Sequence, residues 1–393
     1  MWQRPFLFWI VSGFLAMRAE TVLVLPFSNQ SNTANLDWIG ESISDAVRES
    51  LVSEGVLALE REDRLEAFRR LSLRSNATLT RASIIKVGEA LDASNVIYGQ
   101  YDLAPSSSAA GGSRGVLRIT ARILNLKGLK QGPELTESGA LEDLATLEAR
   151  LSWQALQALS PKTAPPEEDF LRARPRVRLD ALESYIRGLL AANQEQQRRF
   201  FMQAARLDQG YSQPCFQLGK SYWEKKDYRI AAGWLRRVDR NDPHYLEAQF
   251  FLGLCNYQIG DYTAAAQCFE TVAATVPLNE VFNDLGAAQS RSNITAAIES
   301  YRKAVEGDSA DPDYHFNLAC ALLKAGQYEA AVESFRAVLE RNPNDEEAAA
   351  MLVHAERKEQ TRPGSEGHER LKSNYEETAF RQLKAELESK KGQ

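Results

Sequence analysis

The chain contains 393 residues, which is long for one hydrophobic core, so we expect two domains. Its 47 basic and 53 acidic side chains leave a net charge of −6, which argues against nucleic acid as the main partner. Hydrophobic residues make up 44% and charged residues 25%, and this balance is ordinary for a globular protein.

The first 19 residues have the pattern of an export signal. Arg4 supplies a positive charge, residues 5–16 form an apolar run, and Ala19 is a small residue suited to a cleavage site. The run is too short to cross a bilayer comfortably. We therefore predict a signal peptide at 1–19 and a periplasmic or secreted protein, with a membrane anchor through an uncleaved segment as the alternative.

Residues 20–160 alternate strand and helix patterns, which predicts a small mixed-sheet α/β domain. The predicted strands are 21–25, 56–59, 95–103 and 116–126, the last two forming a hairpin. The predicted helices are 37–52, 63–71, 80–91 and 141–159. Thr80 is a candidate N-cap, and the Ser- and Gly-rich stretch 105–115 is predicted to be a flexible connection.

Four parts of this region carry a family resemblance. They are VLVLPF at 22–27, DWIG at 37–40, GEAL at 88–91 with NVIYG at 95–99, and LRITARIL at 117–124. In this order they resemble the amino-terminal domain of TolB and the related FlgO-type domain. The resemblance implies a module for protein contacts in the bacterial envelope, or a fused sensor-like module, with no catalytic residues. The connection at 105–115 is longer than that pattern requires.

Residues 161–178 are rich in proline and charge, and we interpret them as a linker between two separately folding halves. Four arginines alternate here with small or apolar residues: Arg172, Arg174, Arg176 and Arg178. We interpret them as a solvated strand or an inter-domain contact. A nucleic-acid site is disfavoured because no aromatic platform accompanies them.

The second half of the chain is repetitive. Leu-Gly or Leu-Ala pairs recur at Leu218, Leu252, Leu285 and Leu318, with spacings of 34, 33 and 33 residues. Each unit contains two short amphipathic helices, and this period resembles the tetratricopeptide repeat. The resemblance implies an α-solenoid over 179–358 that binds a protein or peptide. The predicted units are a degenerate one at 180–211, full ones at 212–245, 246–278 and 312–345, an irregular one at 279–311, and a capping helix at 346–358.

In tetratricopeptide arrays the first helix of each unit lines the concave face. Carried onto this chain, the resemblance implies that this face contains Phe216, Lys220, Trp223, Phe250, Leu254, Tyr257, Asn283, Ala287, Ser290, Arg291, Phe316, Cys320 and Leu323. Large aromatic side chains on such a face would anchor an apolar segment of a partner. This differs from the basic-and-asparagine pattern with which some arrays clamp a peptide carboxylate. The alternative is that these rings pack in the core.

The last part, 359–393, is a polar tail with an amphipathic helix at its end. Ser373 and Glu376 form a possible capping box. The apolar stripe of this helix is Tyr375, Ala379, Leu383 and Leu387, with Phe380 beside it. A short free helix is marginal in water, so the stripe predicts docking. We expect it to cap the array or cover the concave aromatics as a competitor of the true ligand, with membrane-surface binding as the weaker alternative.

Catalytic and metal-binding motifs are absent from the sequence. The four histidines are scattered, and the glycine-rich run 111–115 lacks the Lys-Ser/Thr of a phosphate-binding loop. Cys215, Cys255, Cys268 and Cys320 have no CxxC spacing, so we interpret them as packing residues, although a disulfide is an alternative. We predict no enzyme, cofactor or metal, and an exported scaffold or adaptor of the bacterial envelope. The alternative is a sensor or regulatory input module of a signalling system.

Overall fold

The computed structural model describes residues 20–31, 35–74, 78–104, 115–174, 176–359 and 369–391, with side chains up to Lys384 in the last helix. The predicted signal peptide at 1–19 lies outside the described residues, as does nearly all of the connection at 105–115. No helix within the described ranges is long and apolar enough to cross a bilayer.

The first domain is a mixed sheet covered by helices. Its described strands are β1 Val22–Val24, β2 Ser28–Asn29, β3 Asn95–Ala104, β4 Val116–Asn125 and β5 Lys130–Ala140. Its described helices are α1 Trp38–Ser53, α2 Arg61–Arg70, α3 Arg81–Ala90 and α4 Leu144–Leu159. The strand order is β1-β3-β4-β5, with β1 and β2 parallel to β3 and the other pairs antiparallel. The predicted α/β architecture and the β3–β4 hairpin are confirmed.

Each face of the sheet is covered by a different pair of helices. Helices α1 and α4 pack on one face through apolar side chains such as Ile43 and Leu151, which are fully buried. Helices α2 and α3 pack on the other face, where Phe68 and Val87 cover Leu23. Burial of these apolar surfaces is the main stabilising contribution to such a layered domain.

Two features of this domain differ from the sequence prediction. The predicted strand at 56–59 is reduced to a single parallel bridge between Val22 and Ala58. Strand β5 was not predicted, because its sequence is polar and contains Gly132 and Pro133. It lies at the edge of the sheet, and its register with β4 is interrupted beside this pair, where a proline does not have to donate to the ladder. Thr80 caps α3 as predicted, accepting a bond from the Ser83 N–H at 3.3 Å.

The predicted linker is folded onto the first domain. It contains helix α5, Glu167–Arg172, whose Phe170 is only 1% exposed. The guanidinium of Arg174 lies 3.2 Å from the centre of the Phe170 ring and donates to Ser53 and Glu54 at the end of α1. Phe170 therefore gives this stretch a buried contact that the interpretation as a linker did not predict. A continuous hydrophobic cluster runs from α1 through Phe170 to Tyr185 in the next helix.

The second half is an array of antiparallel helix pairs. In the described residues these pairs are α6 Leu179–Leu190 with α7 Gln194–Leu207, α8 Ser212–Glu224 with α9 Tyr228–Leu235, α10 Tyr245–Gln258 with α11 Tyr262–Ala273, α12 Asn279–Gln289 with α13 Ile294–Gly307, and α14 Pro312–Lys324 with α15 Tyr328–Arg341. Helix α16, Glu346–Glu356, follows the last pair. The unit predicted to be irregular forms an ordinary pair, with the Asn293 side chain capping α13.

The repeating glycines have a packing role. A Cβ atom on Gly253 would lie 2.7 Å from the Phe269 ring of the paired helix, and one on Gly286 would lie 2.7 Å from the Tyr301 ring. Real Cβ contacts are not this short, so the two helices can pack at this distance only with glycine there. The Leu-Gly spacing therefore marks the helix–helix contact of each unit.

After α16 the described chain resumes at Glu369. Residues 369–376 are neither helix nor strand, and they lead into helix α17, Glu377–Lys391. This helix begins four residues after the predicted start, because the carboxylate of Glu376 accepts from the backbone N–H groups of Thr378 and Ala379. Glu376 thus takes the capping role that the sequence assigned to Ser373.

Candidate functional site

The first helices of successive pairs form one continuous face of the array. We call the face formed by α8, α10, α12, α14 and the start of α16 the groove. Residues 369–376, which we call the tail segment, lie across this face, and α17 follows them toward the first domain. The tail segment contacts the groove through its main chain and through one acidic and two basic side chains.

Two asparagines hold the main chain of the tail segment. The side-chain amides of Asn283 and Asn317 donate to the carbonyl oxygen of Arg370 at 2.8 Å and 2.9 Å. The Arg370 N–H donates in return to the Asn317 carbonyl at 2.9 Å, and the Lys372 N–H donates to Asp284 at 2.9 Å. An amide side chain can donate and accept at once, so one asparagine can bind both polar groups of a peptide backbone.

An acid-binding subsite lies beside this clamp. The Glu369 carboxylate accepts from Arg291 at 2.5 Å, from Ser290 at 2.9 Å, from Tyr257 at 3.2 Å and from Lys324 at 3.4 Å. Only 6% of the Glu369 side chain is exposed. Burial raises the pKa of this carboxyl, but Lys324, Ser290 and Arg291 outweigh burial and hold the pKa below its ordinary value. The carboxylate is therefore bound in its charged form.

The next subsite binds a guanidinium. The Arg370 guanidinium lies 3.6 Å from the centre of the Phe316 ring and forms a two-pronged ion pair with Asp345, at 2.7 Å and 3.0 Å. Asp313 and Glu347 lie 3.4 Å and 3.3 Å from the same group. Hydrogen bonding from Arg370, more than any other contact, lowers the pKa of Asp345. A planar cation fits this combination of a ring and a carboxylate better than a point charge does.

A second basic residue of the tail segment has its own carboxylates. The Lys372 ammonium lies 2.8 Å from Asp311 and 2.7 Å from Asp313, and 5.1 Å from the centre of the Tyr314 ring. The charges of the groove are thus opposite to those of the tail segment at Glu369, Arg370 and Lys372 in turn.

Aromatic contacts anchor the end of the tail segment. The Tyr375 ring packs edge-on against Phe250 at 5.0 Å and stacks on Phe380 of α17 at 4.5 Å. Its hydroxyl donates to Glu247 at 3.4 Å, and the Phe251 ring lies 6.5 Å away. Phe380 is 2% exposed, so α17 is docked through a buried ring.

Helix α17 also reaches the first domain. Arg381 lies 3.6 Å from Glu60 and 3.8 Å from Asp63, and Lys384 donates to the carbonyl of Pro243. A cavity of about 440 Å³ lies between α17, the array and helix α1. The three parts of the molecule therefore meet at this cavity.

His244 on the cavity wall links the first domain to the array. Its ring nitrogens lie 3.0 Å from Glu49 of α1 and 2.8 Å from Glu247 of α10. Burial lowers the pKa of His244, but the two carboxylates outweigh burial and hold that pKa well above its ordinary value. A charged imidazolium between two carboxylates is a structural ion pair that fixes α1 against α10.

The predicted groove residues fall into three places. Six of them contact the tail segment: Phe250, Tyr257, Asn283, Ser290, Arg291 and Phe316. Three line the cavity beside α17: Phe216, Lys220 and Trp223. Leu254 and Leu323 are each 1% exposed and belong to the cores between helices. Some of the predicted residues therefore line the groove or the cavity, and others are packed in the core.

One expectation about the groove is wrong. The sequence reading set it apart from arrays with a basic-and-asparagine pattern, yet Asn283 and Asn317 clamp the main chain while Arg291 and Lys324 bind a carboxylate. The 34-residue separation of the two asparagines was the available signal. The acidic subsites at Asp313 and Asp345 were missed because acidic residues near helix starts usually act only as caps.

The chemistry of this site is binding. Within the described residues, no group of His, Cys, Asp or Glu side chains is arranged to hold a metal ion. The four cysteines are buried and free. Burial raises the pKa of Cys268 to about 11, which keeps its thiol protonated, and this fits the predicted packing role.

The array belongs to a known class of helical repeat. Residues 216–280 and 288–354 match two family models that are both described as tetratricopeptide repeats. With the observed helix pairs and spacing, these matches identify the second half as a tetratricopeptide array. Such arrays present extended binding surfaces, so the class is that of a protein-interaction module.

Several solved structures resemble part of the chain. One, described as YrrB, a TPR protein with an unusual peptide-binding site, is 16% identical with a TM-score of 0.41, covering 45% of this chain and 92% of its own. MamA 41-end from Desulfovibrio magneticus RS-1 is 25% identical with a TM-score of 0.37, covering 41% and 92%. Another MamA crystal structure is 19% identical with a TM-score of 0.35, covering 46% and 92%. No curated protein matches the chain.

Proposed function

We propose that this chain is a scaffold or adaptor whose groove binds a segment of a partner protein. The observation that carries the proposal is the clamp of Asn283 and Asn317 on the main chain of Arg370. Main-chain hydrogen bonds are shared by all polypeptides, so a groove that binds its own tail this way is suited to a segment of another protein. No catalytic step is assigned to the chain.

The tail segment then acts as a competitor of the partner. Nine residues, 360–368, separate the last described residue after α16 from Glu369. A short tether of this kind gives an effective concentration on the order of millimolar. The apparent affinity of a partner is lowered by the fraction of molecules whose groove is closed. The tail therefore restricts binding to partners that bind the groove tightly or are present at high local concentration.

We propose further that the protein works in the bacterial cell envelope. The pattern of residues 1–19 supports export, and the segments within 20–160 support a TolB-like domain. This localisation makes envelope complexes the expected partners, with a membrane anchor as the alternative. The contact of Arg381 with Glu60 and Asp63 favours the second candidate, a regulatory input module, because displacement of α17 would expose a new surface on the first domain.

The proposal is tested by cutting the tether after folding. A protease site inserted between residues 364 and 365 of the full chain allows the tail to be cleaved and then exchanged for a labelled peptide of residues 365–393. We expect the peptide to bind the cleaved protein, and to bind the uncleaved protein at least about tenfold more weakly. Circular dichroism before and after cleavage checks that the array stays folded.

The clamp itself is tested by Asn317→Ala in the same cleavable chain. Loss of the hydrogen bonds from Asn317 to the peptide backbone should lower the affinity for the labelled peptide by roughly tenfold, since a buried polar group loses its partners. The matched control is Gln267→Ala, which removes an exposed amide from the outer helix α11. Failure of the folded, cleaved protein to bind the peptide would rule out the groove as a polypeptide-binding site.

A further inference from the structure

The order of charges in the groove carries information about the partner beyond the presence of a groove. We infer that the groove selects a partner segment with an acidic residue, then arginine, then an apolar residue, then a basic residue, with an aromatic residue three positions later. In the tail this is Glu369-Arg370-Leu371-Lys372, followed by Tyr375. The inference rests on the proposed function and specifies the ligand of the same site.

The main-chain clamp fixes the register of the segment. Asn283 and Asn317 bind both backbone groups of one residue, and Asp284 binds the backbone N–H two positions later. A segment held at these points cannot slide by one residue without losing the bonds. Each side chain of the partner is therefore presented to one particular subsite.

The first subsite selects against a basic residue. Arg291 and Lys324 converge on the Glu369 carboxylate, and Tyr257 and Ser290 donate to it as well. A lysine here would place three cations together in a mostly buried position, with no carboxylate among these four side chains to neutralise them. Such an unfavourable juxtaposition discriminates between partners more strongly than a favourable contact alone.

The second subsite selects arginine over lysine. The flat face of a guanidinium lies on Phe316 while its edge binds both oxygens of Asp345. A lysine ammonium can interact with the ring or with one carboxylate oxygen, but it cannot form the bidentate contact of a guanidinium. The third charged position is less selective, because Lys372 binds Asp311 and Asp313 as a point charge between two carboxylates.

The same charges argue against other classes of occupant. The acidic groups Asp311, Asp313, Asp345 and Glu347 surround the two basic positions of the tail segment. They outnumber the cations of the acid subsite, Arg291 and Lys324. A phosphate backbone or an anionic lipid surface would be repelled over most of this face.

Peptide exchange on the cleavable full-length protein tests this inference. The reference is the labelled peptide 365–393, and the competitors carry single changes. Glu369→Lys, or Arg370→Glu, should weaken binding by roughly a hundredfold, as expected when one partner of a buried charge pair is replaced. Arg370→Lys should weaken it by roughly tenfold and Lys372→Arg by less than about threefold. Ser373→Ala, at an exposed position, is the matched control and should have no effect.

A charge exchange gives a readout that misfolding cannot imitate. Arg291→Glu in the protein should lower the affinity for the reference peptide. The same variant should restore part of the affinity that the Glu369→Lys peptide has lost. If the reference and charge-reversed peptides bind equally tightly, the inference on sequence selection is overturned while the groove remains a peptide site. If neither peptide binds the folded, cleaved protein, the proposed function and this inference fall together.

Discussion

At the scale of single residues, the groove is unusual for the polar groups that it buries. Asn283 and Asp284 are fully buried and Asn317 is 1% exposed, and each of them binds the tail segment. Asn283 also donates to Asp284 and Asn317 to Asn283, so the tail segment completes a hydrogen-bonded network and shields it from water. Occupancy by the tail or by a partner satisfies the same atoms.

A buried carboxyl in the first domain gives a pH-dependent prediction. Glu148 of α4 is 2% exposed, and burial, with Asp45 nearby, raises its pKa from 4.5 to about 8. The folded state therefore holds a proton that the unfolded state releases between these two values. The free energy of unfolding should fall as pH rises through that window, by at most about 1.4 kcal/mol per pH unit from this group.

Glu148→Gln removes this titrating carboxyl. The free energy of unfolding of the variant should therefore rise relative to that of the wild type as pH rises from 5.5 to 7.5. Urea denaturation at several pH values measures the difference. Glu89→Gln, at an exposed position of α3, is the control and should follow the wild type within about 0.5 kcal/mol. A difference between Glu148→Gln and wild type that does not change with pH would contradict the prediction.

At the scale of elements, helix α17 depends on docking. A helix of 15 residues is marginal alone, and Phe380 supplies its buried contact with the array. Phe380→Ala should remove about 3–5 kcal/mol of docking free energy, as in other large-to-small changes of buried rings. We expect faster hydrogen exchange throughout residues 377–391, with α10 and α12 much less affected.

The control for this experiment is Gln382→Ala, an exposed position two residues away on the opposite side of the same helix. It should leave the exchange of α17 unchanged, since alanine favours helix and no contact is removed. Equal protection of α17 in the Phe380→Ala variant would show that the helix is stable without its docking contact.

The elements with strong periodicity could be predicted from the sequence, and the others could not. The helices of the array and the β3–β4 hairpin follow clear apolar patterns, whereas β5 is an edge strand with polar residues and a proline. Helix α5 was missed because Pro165 and Pro166 suggested a linker, although proline is well suited to helix starts. Its one buried ring, Phe170, gives no periodic signal.

The groove was predicted in part for a similar reason. Repeat spacing located its first helices and several of its aromatic rings, because the repeat is local in sequence. The clamp joins Asn283 to Arg370, which are 87 residues apart. No local pattern specifies such a contact, and the charge complementarity becomes visible only when the tail is placed on the groove.

At the scale of the whole molecule, the α/β domain and the array share one core. Leu51 of α1, Phe170 of α5 and Tyr185 of α6 belong to a single buried cluster. Arg174 adds hydrogen bonds to the end of α1, and His244 pairs with Glu49 across the boundary. Parts that share a core unfold together, so the separate folding of the two halves that the linker suggested is no longer expected.

The final prediction concerns this shared core. Phe170→Ala should lower the free energy of unfolding by about 3–5 kcal/mol, since a ring with 1% exposure is replaced by a cavity. Both halves should still unfold in one transition, at a lower urea concentration than the wild type. Hydrogen exchange in α1 and α8 monitors the unfolding of each half. Leu129→Ala is the control, because Leu129 is 50% exposed in the β4–β5 turn and should change stability by less than about 0.5 kcal/mol. Two separate transitions, with only α1 shifted by the Phe170 change, would show that the array folds without the first domain.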